Sequence, residues 1–363
     1  MRQVAIGEHI KSYARETVAN LYHASQIHRI THRGRVIILN YHRVLPKTEL
    51  RRRYVQPAMY VLDTVFDMHL QFLQKHFKIL TLAELLERWR KRVWDWSERN
   101  CVLTFDDGWL DNYLYAYPLL KKYGLPATIF LPTDFIGTHD WFWTEKLFYL
   151  IEHVCSRNLA SARKVAFWSQ IERALGESGY ARPTLNVFDG NKEHNFDQIV
   201  EECKKLPINT VEQLISNLSE LVEIKLPEER AIVNWDEVAL MSKDGISFGS
   251  HSCSHRILTR LHRYEIEREL ELSNRVLQEK RMNINYVPVF CYPNGMYNED
   301  IQGLVKDCAY EAAVGVRPGS EGEFPRNWFE IRRIGIHNEI SATLQLFAFH
   351  LQRPRPSLVF QAY

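Results

Sequence analysis

The chain of 363 residues reads as an α/β protein built from parallel βα units and carrying one helical insertion. Three observations predict this. Short apolar runs of strand length recur in both halves of the chain, and amphipathic helical patterns lie between several of them. Between about Gly137 and Pro227 the alternation stops and helix-forming sequence dominates.

Taken in order, residues 1–33 form an added N-terminal helical segment. Val36–Leu39, Cys101–Phe105 and Ala127–Leu131 then read as buried strands, because each is a continuous apolar run rather than an alternating one. Tyr117–Tyr123 is a helix, with Pro118 in its first turn and Gly124 just past its end. Thr144–Arg157 and Val211–Val222 are helices of the insertion, and Trp235–Lys243 is a further helix after it. Ile246–Phe248, Val287–Cys291 and Ile331–Ile336 complete the strands. Between them lie the helices Arg263–Gln278, where Ile266, Leu270 and Leu277 share a face, and Glu299–Cys308. The tail from Pro354 reads as a surface extension. The chain thus divides into 1–33, a first part of the α/β body over 34–136, the insertion over 137–232, a second part over 233–345, and an extension over 346–363.

Composition narrows the function. Lys and Arg number 46 against 44 Asp and Glu, a net charge of +2, so the whole molecule has little electrostatic attraction for nucleic acid. The basic runs Arg51–Arg53 and Arg88–Arg92 read as solvated faces. Apolar residues at 45% and charged residues at 25% are ordinary for a folded domain, and a chain of this length buries enough surface to need no staple. The six cysteines form no Cys-x-x-Cys pair, and several sit in apolar runs, the usage of small buried hydrophobes in a reducing compartment. No segment has the apolar length of a signal peptide or of a membrane span, so a cytoplasmic protein is expected, with peripheral membrane association compatible. Oligomeric state is not legible.

Chemistry gathers at strand ends, where parallel βα units place it. Thr104-Phe105-Asp106-Asp107-Gly108 ends one strand. Two adjacent carboxylates crowd like charges, which is costly unless a cation sits between them and the other serves as a base. The plainer reading is a turn that caps the following helix. Far along the chain, just past another strand, stands His251-Ser252-Cys253-Ser254-His255. Two imidazoles four residues apart, on one side of a helical turn, can chelate a metal, although the small residues between them suit a loop.

Together these pieces resemble the NodB-homology polysaccharide deacetylases, carbohydrate esterase family 4. The first motif of that family is Thr-Phe-Asp-Asp-Gly and its second is His-Ser/Thr-x-x-His. Phe290-Cys291-Tyr292-Pro293-Asn294-Gly295 resembles the Phe-x-Tyr-Pro-x-Gly form of the third, and Leu39-Asn40-Tyr41-His42 and Trp235-Asp236-Glu237-Val238 are similar to the same subgroup. The resemblance covers about Arg35–Pro132 and Asn234–Asn338. It implies a distorted (β/α)7-type barrel with the helical insertion set into it.

The resemblance further implies that Asp107, His251 and His255 bind one divalent metal, zinc first with cobalt or nickel as alternatives, and that Asp106 is the general base. Three protein ligands with open positions suit a catalytic site. Tyr292, through its backbone N–H, is implied as an oxyanion donor, with Pro293 and Gly295 lining the same substrate-binding turn. His337 is implied as the acid that protonates the leaving amine, and His42 is a rival polar group in the pocket. Two departures matter. The family's base-orienting Arg is replaced by Cys291, leaving Arg332, Arg333 or some other group to hold the base, and the family's Asp/Trp motif has no clear match after Gly295. The implied reaction removes N-acetyl groups from amino sugars of a polysaccharide or of its lipid-linked precursor, the partner being that glycan or glycolipid.

Three rival readings stand beside it. Gly245-Ile246-Ser247-Phe248-Gly249 fits a serine-hydrolase elbow, but Ser247 falls in mid-strand after a helix, the wrong context. A barrel of this kind could cleave another linear or cyclic amide, or bind glycan without turnover. Trp141-Phe142-Trp143 could stack on sugars, yet aromatics at a helix start ordinarily pack its base.

Overall fold

The structure, a computed structural model, describes residues 2–51, 55–156, 159–177 and 192–352. Within these, the chain forms two compact units. One takes residues up to Thr48, Pro57–Thr138 and the chain from Ile232 onward; the other takes Glu49–Gln56 and His139–Ala231.

The first unit opens with helix α1, Arg2–Ala24, followed by strands β1, Arg35–Tyr41, β2, Arg43–Leu45, and β3, Tyr60–Leu62. Helix α2, Asp63–His76, strand β4, Lys78–Ile79, and helix α3, Leu82–Lys91, lead to β5, Arg99–Phe105. Helix α4, Tyr117–Tyr123, and strand β6, Ala127–Leu131, complete the first half. The second unit holds helices α5, Trp143–Ser156, α6, Ser161–Glu177, α7, Lys192–Cys203, and α8, Ile208–Val222. The chain then re-enters the first unit through α9, Trp235–Lys243, β7, Ile246–Ser250, α10, Arg263–Lys280, β8, Asn285–Cys291, and α11, Glu299–Asp307. It finishes with β9, Ala312–Val314, β10, Ser320–Glu321, β11, Ile334–Gly335, α12, Asn338–Ser341, and α13, Leu344–Gln352.

One sheet organises the first unit, in the order β10-β1-β5-β6-β7-β8-β9, with β11 on β1 and β4 on β5. Every pair is parallel except β1 with β10. Strands β5, β6 and β7 are buried on both faces almost throughout, as a parallel sheet flanked by helices requires, which is why they read as unbroken apolar runs. The sheet curls into a distorted (β/α) half-barrel, the fold class expected. Helix α9 is started by a capping box, the Asn234 side chain accepting from the Glu237 backbone and Glu237 returning the bond.

The last predicted strand differs. Instead of a continuous run over Ile331–Ile336, only Ile334–Gly335 forms a ladder, with β1, while Ile331 bridges singly to Val314 of β9. The segment divides its backbone bonds between two neighbours, Ile331 donating to Ala313 and Ile336 to Asn40. It carries the sheet from β9 round to β1 and turns Arg333 into the interior, 1% exposed.

In the second unit, α5, α6, α7 and α8 share a core that includes Leu147, Ile151, Phe167, Ile171, Ile199 and Leu218. Trp141 and Phe142 are buried and Trp143 packs against this core, so the aromatic triplet serves packing. The tail from Pro354, Arg52, Arg53 and Arg157 lie outside the described residues. Among the described residues no helix is long and apolar enough to cross a membrane. Four of the six free cysteines are buried, as their apolar settings suggest. Ser247 is buried in β7 with its hydroxyl bonded to Thr128 at 2.8 Å, so the elbow reading falls.

Candidate active site

Three loops at the C-terminal ends of β5, β7 and β8 build the site. The first turns sharply after Phe105. Asp107 holds φ 74° and Gly108 φ 63°, both left-handed, and a Cβ on Gly108 would come within 2.8 Å of Leu131. The second, after Ser250, is an irregular loop in which Ser252 and His255 also have positive φ, 65° and 57°. The histidine spacing therefore works through a loop and not, as the spacing alone suggests, through a helical turn. Strained non-glycine residues held in place by their surroundings mark functional loops. Glu269 of α10 holds this one, accepting from the backbone N–H groups of Cys253 and Ser254 at 2.9 Å each.

The loops bring Asp107, His251 and His255 together. Asp107 Oδ1 lies 3.2 Å from His251 Nε2 and 3.1 Å from His255 Nε2. His251 donates from Nδ1 to the Cys291 carbonyl at 2.8 Å, which orients the ring so that Nε2 faces Asp107. The other Asp107 oxygen accepts from the Trp109 indole at 2.9 Å, and the Arg43 guanidinium stacks on that ring at 4.3 Å. Burial would push the Asp107 carboxyl up, but the two imidazoles outweigh it and hold the group well below the usual range. The donor set fits a divalent ion: two donors bonded to one zinc at about 2.1 Å and a tetrahedral angle stand roughly 3.4 Å apart. Asp106, His251 and Cys291 form an overlapping cluster, but there Asp106 is engaged elsewhere and burial keeps the Cys291 thiol up.

Asp106 is held by Arg333. The guanidinium grips both carboxylate oxygens, at 2.7 and 2.8 Å, and also donates to Asn40, Thr104, Cys291 Sγ and the Gly315 carbonyl. Burial raises the Asp106 carboxyl, and Arg333 more than reverses this, so the group is ionised at neutral pH. Of the two arginines left open by the sequence, Arg333 occupies the position facing the base; Arg332 instead pairs with Glu321 at 3.0 Å.

His42, between β1 and β2, has Nε2 4.0 Å from Asp106 Oδ2 and a partly exposed side chain. His337, at the start of α12, is 3% exposed with Nδ1 unpartnered. Burial first, then the positive charge of His350, Arg15 and His42, lowers it to about 4. Tyr292 directly follows β8; its side chain points back into the fold and donates its hydroxyl to Phe329. Pro293 opens the next turn, and Gly295, at φ 66°, could not carry a Cβ without colliding with Val316. Sequence reasoning missed Trp109, Arg43 and Glu269. Trp109 stands only two residues past Asp107, close enough to have been read as its partner; Glu269 is one of several glutamates in its helix, and only its place three residues past Ile266, on the buried face, sets it apart.

Comparison with known proteins agrees with this architecture. The polysaccharide deacetylase family model matches residues 95–178 and 187–313, and the chain belongs to that family. A poly-beta-1,6-N-acetyl-D-glucosamine N-deacetylase of Staphylococcus epidermidis is 26% identical over 224 residues, 59% of this chain and 71% of that one. The Bacillus subtilis protein YxkH is 34% identical over 120 residues, which span 32% of this chain and only 38% of that one. Among solved structures, the Streptococcus pyogenes deacetylase PplD superposes with a TM-score of 0.54 at 19% identity, covering 89% of this chain and 99% of that one. IcaB from Ammonifex degensii gives 0.51 at 13% identity, covering 87% and 97%. These two likenesses concern the fold.

Proposed function

We propose that the protein is a metal-dependent N-deacetylase of amino sugars in a polysaccharide or its lipid-linked precursor, of the subgroup with a Phe-x-Tyr-Pro-x-Gly third motif. The convergence of Asp107, His251 and His255 beside an arginine-clamped Asp106 carries the reading. The named activity of the S. epidermidis relative supports a β-1,6-linked N-acetylglucosamine polymer as the first substrate to try. We take 34–136 and 233–345 as the two parts of the deacetylase barrel and 137–232 as a helical insertion between them in sequence.

Asp107, His251 and His255 would hold the ion, which when bound supplies Lewis-acid polarisation of the acyl carbonyl and lowers the pKa of water. Asp106 accepts the proton of the attacking water. Its guanidinium clamp keeps it ionised and fixes its orientation, and each carboxylate oxygen retains a second lone pair for this. The Tyr292 backbone N–H, on the turn that Pro293 and Gly295 shape, stabilises the oxyanion. Protonation of the departing amine falls to His42, because it combines access with a 4.0 Å approach to Asp106, whereas His337 is sealed and neutral at neutral pH.

The test is acetate release from N-acetylated β-1,6-glucosamine oligomers, with O-acetylated glycans alongside. Activity abolished by a chelator and restored by zinc, cobalt or nickel is expected. Acetate release that ignores the chelator, or none with any metal, rejects the reading.

A further inference from the structure

A second concentration of imidazoles lies far from the loops just described. A cavity of about 410 Å³, within the range of small-molecule sites, is lined by His23 and Ala24 of α1 and by Gln26, His28 and Arg29 of the following turn. Met68, Gln71, Phe72, Lys75 and His76 of α2, with Leu344, form the rest. The rings are packed on one another: His23 stacks on His28 at 4.8 Å, and His28 meets His76 edge-on at 5.4 Å. Arg99, the first residue of β5, fixes the turn by donating to the carbonyls of His28 at 2.6 Å, Arg29 at 3.2 Å and Thr31 at 2.7 Å. Asp106 follows the last residue of that seven-residue strand, so the cavity and the active site are separated by about 20 Å.

We propose that this cavity binds a phosphoryl group, free or on a lipid headgroup. Among the described residues, every charged residue in its lining is a cation or an imidazole, and none is a carboxylate. His28 is 5% exposed and its Nδ1 has no partner, a buried polar atom that a ligand oxygen would satisfy. Lys75 and Arg29 supply full charges, and a guanidinium beside imidazoles is a common phosphate-binding set. A metal does not account for it. Among the described residues, the groups of three donors close enough to share an ion both lie at the active site, and Arg29, Lys75 and Arg99 would repel a cation.

The electrostatics agree. His76 is lowered to about 4, by burial and then by His28, Arg99, Lys75 and Arg29; His28 is lowered by burial, His23, Arg29 and Arg99. Tyr22 packs against His28 from α1 and is raised, chiefly by burial, so it adds no negative charge. A bound anion reverses this repulsion, the imidazoles take up protons, and affinity rises as pH falls. Leu21, Ile27 and Ile30 are exposed along the same segment, 66%, 46% and 64%, which makes a membrane surface one source of the group to test.

The experiment titrates the full chain with inorganic phosphate and glycerol 3-phosphate by calorimetry. In parallel it measures sedimentation with vesicles of phosphatidylcholine alone and of phosphatidylcholine doped with phosphatidic acid. Saturable binding is expected in one arm, tightening about fivefold or more between pH 8 and 6. Binding should weaken about tenfold in Lys75→Gln/His76→Gln and in the separate surface variant Arg29→Gln, with deacetylase activity unchanged. Binding to phosphate esters in solution identifies a free ligand; binding only to doped vesicles identifies a lipid. No saturable binding in either arm at pH 6, or equal binding by folded variants, overturns the proposal.

Discussion

Strand β5 has a histidine-rich region at each end, and the two differ in counter-charge rather than in ligand type. Past its C-terminal end His251 and His255 converge on the carboxylate of Asp107. Near its N-terminal end His23, His28 and His76 face one another with Arg29 and Lys75, and among the described residues no carboxylate lines their cavity. A carboxylate beside imidazole lone pairs makes a seat for a cation; cations beside imidazoles make one for an anion. Counting histidines in a sequence cannot separate these outcomes: Asp107 reaches His251 and His255 from far along the chain, whereas Arg29 and Lys75 are the immediate neighbours of His28 and His76.

The largest effects should follow from removing that carboxylate. Asp107→Ala and His255→Ala are expected to lose metal binding and with it all measurable turnover, read by metal analysis and acetate release together. Asp106→Asn should keep the metal and lose about 10²- to 10⁴-fold in kcat, the usual worth of a positioned base. Retained activity in Asp106→Asn would remove it from the role of base. If His76→Ala lost the metal as well, the contrast between the two ends of β5 would collapse.

Arg333 comes next. It pairs bidentately with Asp106 from 227 residues further along the chain, and both groups are buried. Arg333→Ala leaves Asp106 charged and unpaired, which should cost about 3–5 kcal/mol of stability. Arg333→Lys keeps the charge without the planar fork, so it should fold while kcat falls and KM barely moves. Denaturant unfolding of Arg333→Ala against the double variant with Asp106→Asn checks the origin of the loss: the double variant should recover part of it, since no lone charge remains.

The same residue marks where the sequence stopped being legible. Asp107, His251 and His255 sit in short motifs whose spacing is local, and the strand ends that carry them are apolar runs readable one at a time. Arg333 lies in a segment that resembles a simple strand, yet it bonds to β9 at one end and β1 at the other. That division is a property of sheet closure and has no local pattern. Likewise β2, β3 and β4 have only two or three residues each, too short for a period to show. The second unit was readable as helices because α8 buries Val211, Leu214, Ile215 and Leu218 at helical spacing.

The two acid assignments separate at a smaller scale. His42→Ala should lower kcat by about 10²-fold or more on an unactivated N-acetyl substrate, and less on an ester whose leaving group needs no proton. His337→Ala should act mainly on stability, since the ring is enclosed and its Nδ1 makes no hydrogen bond. A His337 variant that lost amide hydrolysis while keeping ester hydrolysis would reverse the assignment.

The mildest effect on turnover concerns a third kind of histidine, one held by a carbonyl and a hydroxyl rather than by charges. His69 is fully buried, bonded through Nε2 to the Ser341 carbonyl at 2.8 Å and through Nδ1 to the Tyr41 hydroxyl at 3.2 Å, and stacked on Phe347 at 3.8 Å. Burial lowers it to about 3, the Ser341 bond opposing and His350 adding a little. The unfolded chain therefore binds this proton below about pH 6.5 while the native state refuses it until about pH 3. Stability is fully present above pH 6.5 and falls with pH through that window, by about 1.4 kcal/mol per unit from this one group. His69→Gln can bond both neighbours without titrating. It should be somewhat less stable at pH 7, show a shallower loss between pH 6 and 4 in denaturant unfolding, and leave acetate release untouched; an unchanged slope would mean that His69 keeps its proton affinity when buried.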